Sequence, residues 1–253
     1  MGKIVAIGGG EIGRPGYPVE TTAIDKEIIK LSGKKSPKLL FLPTASGDSR
    51  SYVEVVKKHF GKTLGCKVEP LYLIGQKTDF KKLREKILGS DIIYVGGGNT
   101  LAMLERWKET GVDKILREAY EKGIVLSGLS AGAICWFKYG HSDSLKFTTP
   151  ERKKWDHIVV KGLGLVKGLV SPHFVKSSRR GKHIAKIVES TGESIITIGD
   201  CAAIEIVDGK FRIITSKPRT KVFKIYWNKK LFIKEINNKK DYQSLEKLAE
   251  IKI

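Results

Sequence analysis

Apolar residues in the first half of the chain form short β-branched runs, and the segments between these runs have helical spacing. The runs occupy residues 3–7, 39–42, 68–74, 91–95 and 124–127. In one intervening segment, Ile24, Ile28 and Leu31 fall on a single helical face. Alternation of nearly continuous apolar strands with amphipathic helices is typical of a parallel sheet covered on both faces. We therefore predict an α/β fold built around such a sheet.

The second half of the chain is richer in strands. We predict mainly strand at residues 163–174, 194–207, 211–215 and 222–236, and helix at 181–190 and 241–251. Asp208-Gly209 favours a tight turn between two of these strands. Because no long linker rich in Pro, Gly or Ser separates the halves, we predict one domain over residues 1–253, in which the later strands extend the same sheet.

The charge balance raises the question of a nucleic-acid partner. Lys and Arg number 47 against 27 Asp and Glu, a formal net charge of +20. The lysines come in pairs scattered along the chain, without an arginine-rich arm or an aromatic RNA-binding signature. This distribution favours a solvated surface over a nucleic-acid face, although the excess charge can attract acidic substrates.

Cysteine usage and hydropathy narrow the class of protein further. Cys66, Cys135 and Cys201 are far apart and form no CxxC pair, so we expect small buried residues and neither a zinc site nor disulfides. No apolar run reaches the roughly 18 residues of a membrane span, and the N-terminus lacks the layout of a signal peptide. We therefore expect a cytoplasmic protein that does not bind a membrane.

A glycine-rich stretch follows the first predicted strand. Gly8-Gly9-Gly10-Glu11-Ile12-Gly13 matches the GxGxxG dinucleotide fingerprint, but the fingerprint requires a helix that begins within it. Pro15 and Pro18 oppose that helix. We favour a glycine loop at the carboxyl end of the strand, where clefts form in α/β folds, over a dinucleotide site.

A nucleophile elbow is predicted at Gly128-Leu129-Ser130-Ala131-Gly132. This GxSxG sequence lies between an apolar strand and a helix-compatible run, which is the setting that exposes a nucleophilic serine oxygen. The helix N-terminus directs the N–H of Ala131 toward negative charge. A turn that is merely built of small residues is the alternative.

A serine nucleophile needs a base, and five histidines are available. His173 ends an apolar run, and catalytic residues of α/β proteins favour such strand ends. His141 lies in a polar loop after the elbow helix and is the second choice. His183 lies in a basic stretch, and the charged and apolar residues around His157 are ambiguous. His59 is expected at the surface because its helical segment is charged.

The orienting acid and the oxyanion donors also follow strand ends. Asp200 comes directly after the apolar run 195–198 and Gly199; a turn or cap role is the alternative, and Glu205, inside a strand pattern, is a weaker candidate acid. Gly96-Gly97-Gly98 ends another buried strand before a helix near Asn99. Backbone N–H groups there could complete an oxyanion hole with Ala131.

Four sequence segments together resemble the dipeptidase E / cyanophycinase family of serine peptidases. These segments are YVGGGNT at 94–100, GLSAGA at 128–133, SPHF at 171–174 and IGDCAAIEI at 198–206. The resemblance implies a three-layer α/β/α sandwich similar to class I glutamine amidotransferases. It implies Ser130 as nucleophile, His173 as base, Gly98 and Ala131 as oxyanion donors, and Asn99 near the substrate. Asp200 stands where characterised aspartyl dipeptidases usually have glutamate.

The resemblance implies hydrolysis of short peptides. It also implies aspartyl substrates, because the substrates of that family carry an N-terminal or β-linked aspartate. Arg14, Arg179 and Arg180 are candidates for binding that carboxylate. We expect no metal or cofactor, and a monomer or homodimer. Two alternatives stay open: a catalytically silent family member that binds a small ligand, and a basic nucleic-acid-binding α/β protein.

Overall fold

The computed structural model describes residues 2–148, 156–176, 178–237 and 241–249. Within these ranges the strands are β1 (Lys3–Ile7), β2 (Lys38–Leu42), β3 (Lys67–Pro70), β4 (Ile92–Val95), β5 (Val125–Leu129), β6 (Phe137–Ser142), β7 (Ile158–Lys161), β8 (Val166–Pro172), β9 (Ile195–Ile198), β10 (Ala202–Val207), β11 (Lys210–Thr215), β12 (Val222–Asn228), β13 (Lys230–Glu235) and β14 (Gln243–Ser244).

Helices connect or cover most of these strands. They are α1 (Thr22–Leu31), α2 (Arg50–Val56), α3 (Phe80–Leu88), α4 (Thr100–Thr110), α5 (Val112–Glu121), α6 (Ala131–Ile134), α7 (Arg179–Thr191) and α8 (Glu246–Ala249). A π-helical turn, Lys57–Thr63, continues α2. Short 3₁₀ turns occupy Thr44–Ser46 and Ser144–Phe147.

The larger sheet has the strand order β14-β11-β10-β1-β5-β4-β2-β3 in the described part of the chain. β1 to β5 are mutually parallel, whereas β10 and β11 join antiparallel beside β1. The alternation along β1 shows the layers: Ile4 and Ala6 face one apolar cluster, with Trp107 of α4, and Val5 and Ile7 face another. Helices therefore cover both faces of this sheet, which confirms the predicted α/β sandwich.

The later strands divide between two sheets. β10, β11 and β14 extend the larger sheet, as predicted, but six others form a second sheet in the order β13-β12-β9-β8-β6-β7. Helix α7 packs on this second sheet through Ile184 and Val188, which belong to a small apolar cluster of their own. The predicted helix at 241–251 is a short strand, β14, followed by α8, and residues 250–253 lie outside the described part.

Candidate active site

Ser130 lies at the sharp turn between β5 and α6. Its backbone is in an uncommon conformation for a residue with a side chain (φ 59°, ψ −107°). Its N–H donates to the carbonyl of Ile7 in β1 (3.0 Å). The two glycines of the elbow allow the chain to pack closely, because a Cβ on Gly128 would lie 2.6 Å from the carbonyl oxygen of Gly132, and one on Gly132 would lie 2.2 Å from that of Val95.

His173 and Asp200 meet Ser130 from the second sheet. His173 directly follows β8, and Asp200 lies in the turn between β9 and β10. The Nε2 atom of His173 is 2.9 Å from Ser130 Oγ, and its Nδ1 atom is 2.6 Å from Asp200 Oδ1. The hydrogen bond with His173 lowers the pKa of Asp200, and the charge of Arg180 acts in the same direction. The structure thus brings together the three residues that the sequence singled out.

The glycine loop after β1 supports this arrangement. A Cβ on Gly9 would lie 2.0 Å from Asp200 Oδ1 and 2.4 Å from His173 Nδ1, so only glycine leaves room for the bond between them. The backbone of the same loop holds both partners: the N–H of His173 donates to Gly8 O (3.2 Å) and that of Cys201 to Gly9 O (2.9 Å). The sequence placed this loop at a cleft but did not reveal its role.

A cleft of about 1270 Å³ opens over Ser130 and His173. Its wall consists of the loop at residues 10–19, part of α2 and the π-helical turn. Two cationic side chains, Arg14 and Lys58, line it. The space suits a small organic molecule or a short peptide.

The comparisons with known proteins decide the family. The model of Peptidase family S51 matches residues 4–214. The chain belongs to peptidase family S51. It is 36% identical over 229 residues to the uncharacterized peptidase YgaJ of Bacillus subtilis, covering 89% of this chain and 92% of that protein. It is 23% identical to peptidase E of Nostoc over 76% of this chain and 78% of that one.

Solved structures agree with this assignment. A protein provisionally named peptidase E from Listeria monocytogenes superposes with a TM-score of 0.61 at 25% identity, over 85% of this chain and 98% of that one. A peptidase from an acI-B1 Actinobacterium gives a TM-score of 0.71 at 18% identity, over 96% and 97%, and shows the shared fold. This S51 protein is therefore a peptidase, which confirms the resemblance to the dipeptidase E family.

Two other carboxylates of this S51 peptidase, the weaker candidate Glu205 and Asp143, have partners of their own. Glu205 is buried in β10 and pairs with Arg212 (3.0 Å), and it accepts a hydrogen bond from Tyr242. Asp143 pairs with Lys146 at 2.6 Å and lies 3.6 Å from Arg180. Asp200 is the carboxylate that contacts His173.

The alternative base, His141, lies in strand β6 and not in the predicted polar loop, and it belongs to a group of three histidines of which two are buried. Its Nε2 atom is 2.8 Å from His183 Nδ1, and its ring stacks on His157 with centroids 4.7 Å apart. Burial is the main cause that lowers the pKa of His141 to about 2, and the charge of Arg180 adds to it. A neutral, fully buried imidazole with these partners does not face the cleft.

The remaining predicted site residues surround the elbow. Ala131 begins α6, and Asn99 is the N-cap of α4, where its Oδ1 accepts from the N–H of Ala102 (3.2 Å). Among the described residues, none accepts a hydrogen bond from the N–H of Gly98 or Ala131. Gly97 also lies beside the serine, since a Cβ there would be 3.4 Å from Ser130 Cβ, and its N–H donates to Tyr52 Oη (3.3 Å).

Of the three candidate arginines, Arg14 is the one that lines the cleft. Its guanidinium pairs with Glu11 at 2.6 Å and is two-thirds exposed. Arg180 is buried and donates to the carbonyl of His141 (3.1 Å), and Arg179 is exposed at the start of α7.

All three cysteines are free and buried, as predicted. Burial raises the pKa of the Cys66 thiol to about 11, so that thiol is not a nucleophile at neutral pH. In the described ranges, no helix combines the length and the apolar character needed to cross a membrane.

Proposed function

We propose that this S51 peptidase is a serine-type enzyme that hydrolyses short peptides through Ser130, His173 and Asp200. The observation that carries the proposal is the continuous chain of hydrogen bonds from Ser130 Oγ through both nitrogens of His173 to Asp200 Oδ1, at 2.9 and 2.6 Å. This arrangement fits a nucleophile, a base and an orienting acid in their required order.

The chemistry follows from these positions. Ser130 Oγ attacks the scissile carbonyl while its proton moves to Nε2 of His173, and Asp200 fixes the tautomer and stabilises the imidazolium. The N–H groups of Ala131 and Gly98 stabilise the oxyanion. His173 then protonates the leaving amine, and water, activated by the same imidazole, releases the acid from the acyl-enzyme.

The substrate class we propose is short peptides that carry an aspartyl residue, as Asp-X dipeptides or as β-aspartyl peptides. Arg14 and Lys58 line the cleft together with Glu11 and Glu54, and the two cationic side chains are the groups to which a substrate carboxylate can bind. Arg14 is paired with Glu11, yet a guanidinium offers five N–H donors and this one is largely exposed.

Labelling with a fluorophosphonate probe tests the mechanism, because an activated serine reacts quickly and an ordinary serine does not. We expect stoichiometric labelling of the wild type and none of Ser130→Ala, with a circular dichroism spectrum that shows the same fold. An unlabelled wild type would favour a catalytically silent protein that binds a small ligand. Labelling that persists in Ser130→Ala would exclude Ser130 as the nucleophile.

A matched set of dipeptides tests the substrate class. Asp-X, β-Asp-X and Asn-X differ in charge or linkage but little in size, so their kcat/KM ratios isolate recognition of the carboxylate. We expect the aspartyl peptides to be preferred, and Arg14→Gln to raise their KM while leaving kcat for Asn-X unchanged. Equal turnover of Asp-X and Asn-X would contradict an aspartyl preference without affecting the proposed triad.

A further inference from the structure

His141, His157 and His183 form a cluster that the proposed catalytic chemistry does not use. One nitrogen from each of the three side chains can be chosen so that all lie within 4.8 Å of one another. His141 and His157 are buried, and His183 is half-buried. The three come from different elements: β6, the residue before β7, and α7.

We propose that these three histidines bind a divalent transition-metal ion such as zinc. Imidazole nitrogen is a preferred zinc ligand, and sets of three histidines hold zinc with a fourth position left for water or another ligand. In a folded protein, three convergent imidazoles with this spacing need only small ring movements to reach one ion.

The surroundings of His141 match those of a metal ligand. Its Nε2 atom faces the cluster, at 2.8 Å from His183 Nδ1, while its Nδ1 atom is 3.2 Å from Ser171 Oγ. A ligating histidine ordinarily donates its other N–H to an oxygen, which fixes the ring and its tautomer. Ser171 is placed to provide that oxygen here, and the Arg180 guanidinium is farther from His141 Nδ1, at 3.5 Å.

Two charged side chains lie next to the cluster: Arg180, whose Nη1 is 3.5 Å from His141 Nδ1, and Asp143. Arg180 opposes a second cation nearby, but its partner Asp143 supplies compensating negative charge, 3.6 Å from the Arg180 guanidinium. The three soft-to-borderline nitrogen donors select zinc, cobalt or nickel over magnesium or calcium.

A bound ion would connect α7 to the second sheet. Ser171 lies in β8, two residues before His173. Its Oγ atom is 3.2 Å from His141 Nδ1 and 3.5 Å from Arg180 Nη1. The metal therefore acts on the strand that positions the proposed base, and its role is structural support of that strand.

Zinc titration of chelator-treated protein, followed by equilibrium dialysis and metal analysis, tests the proposal. We expect the wild type to bind a single ion per chain, and X-ray absorption to show imidazole nitrogens at about 2.0–2.1 Å from zinc. Because its ring is half-buried on a helix, His183 can be replaced by glutamine with little effect on folding. His183→Gln should weaken binding on the order of 100-fold or more.

His173→Gln is the matched control, since it removes a histidine of the proposed triad and leaves the cluster intact. It should bind zinc as the wild type does. Zinc at about 100 times its Kd should also shift the folding equilibrium of wild type and His173→Gln about 100-fold toward the native state, but not that of His183→Gln. Absence of saturable binding by the wild type, or unchanged binding by His183→Gln, would overturn the proposal and show that the histidines only share hydrogen bonds.

Discussion

Asp200 and His173 form one aspartate–histidine pair of this peptidase, and Asp25 and His59 form another. The two hydrogen bonds are almost equally long, 2.6 Å and 2.7 Å. Their environments are opposite, because the Asp200 side chain is 60% exposed whereas that of Asp25 is fully buried. The hydrogen bond with His173 lowers the pKa of Asp200, whereas burial raises that of Asp25.

The two pairs differ in what lies beside the histidine. His173 has its second nitrogen on Ser130 and a cleft above it. His59 lies 3% exposed in a π-helical turn under the same cleft, and its partner carboxylate also accepts from Thr21 (2.7 Å). In the described part of the chain, Asp25 Oδ1 has no hydrogen-bond partner. We interpret the Asp25–His59 pair as a buried hydrogen bond that holds α1 against the π-helical turn.

The largest effect should come from the exposed pair and its serine. Ser130→Ala and His173→Ala should each lower kcat on the order of 10⁴-fold or more, and the double variant should lose little further because the residues act as a unit. Single-turnover and steady-state kinetics on the best peptide measure this. A greater loss in His141→Ala than in His173→Ala would move the base to the histidine cluster.

Asp200→Asn should cause the next largest loss of activity. The amide keeps the size of the side chain but lacks its charge and can present a donor to His173 Nδ1, so the imidazole takes the wrong tautomer. We expect a loss on the order of 10³–10⁴-fold in kcat with little change in KM. Asp143→Asn is the control, since its carboxylate contacts Lys146 and not His173; if that variant were the more damaging one, Asp143 would replace Asp200 as the acid.

Gly9→Ala should have an intermediate effect. The added methyl would overlap the Asp200 carboxylate and the His173 ring, so the pair must separate. Displacement of a catalytic group by about 1 Å costs on the order of 10²-fold in rate. Gly61→Ala in the π-helical turn serves as the comparison, since Gly61 has no positive φ and a Cβ there would make only ordinary contacts, the nearest at 3.6 Å. Equal kcat/KM for the two variants would show that the close approach of Gly9 is unimportant.

The buried pair should have the smallest effect on catalysis and a distinct effect on stability. Asp25→Asn should leave kcat/KM within a few-fold, because Asp25 does not reach the cleft. Since the folded-state pKa of Asp25 is raised, its contribution to stability is complete below the unfolded-state pKa of about 3.9 and is lost as pH rises through the folded value. The stability of wild type relative to Asp25→Asn should therefore fall with rising pH. Urea unfolding across that range measures the difference, and a rise instead would show that pairing with His59 outweighs burial.

The sequence was most informative where a feature is local. The elbow around Ser130 and the strand ends at His173 and Asp200 depend on short apolar runs and turn residues, and the structure brings all three together. Strand pairing is not local, so the second sheet was not predicted. His59 was expected at the surface because its helical segment is charged, yet the π-helical turn points its ring inward against Asp25.

Two other features depend on contacts across the fold. Gly9 must be a glycine because His173 and Asp200 pack against it in the folded protein. These two residues lie some 160 and 190 positions later in the chain, so no local sequence pattern reveals the contact. The histidine cluster has no motif spacing, since His141, His157 and His183 come from separate elements, and it becomes visible only when the second sheet and α7 are packed.

The pairing of β1 with β10 has a consequence for the synthesis of this peptidase. Residues Lys3 to Ile7 pair with Val207 to Ala203, so the first strand acquires this neighbour only after most of the chain has left the ribosome. Asp200 lies two residues before that late strand, so it too is synthesised long after Ser130. The proposed triad is therefore incomplete in the nascent polypeptide, and translation itself delays the first moment at which its three residues can act together.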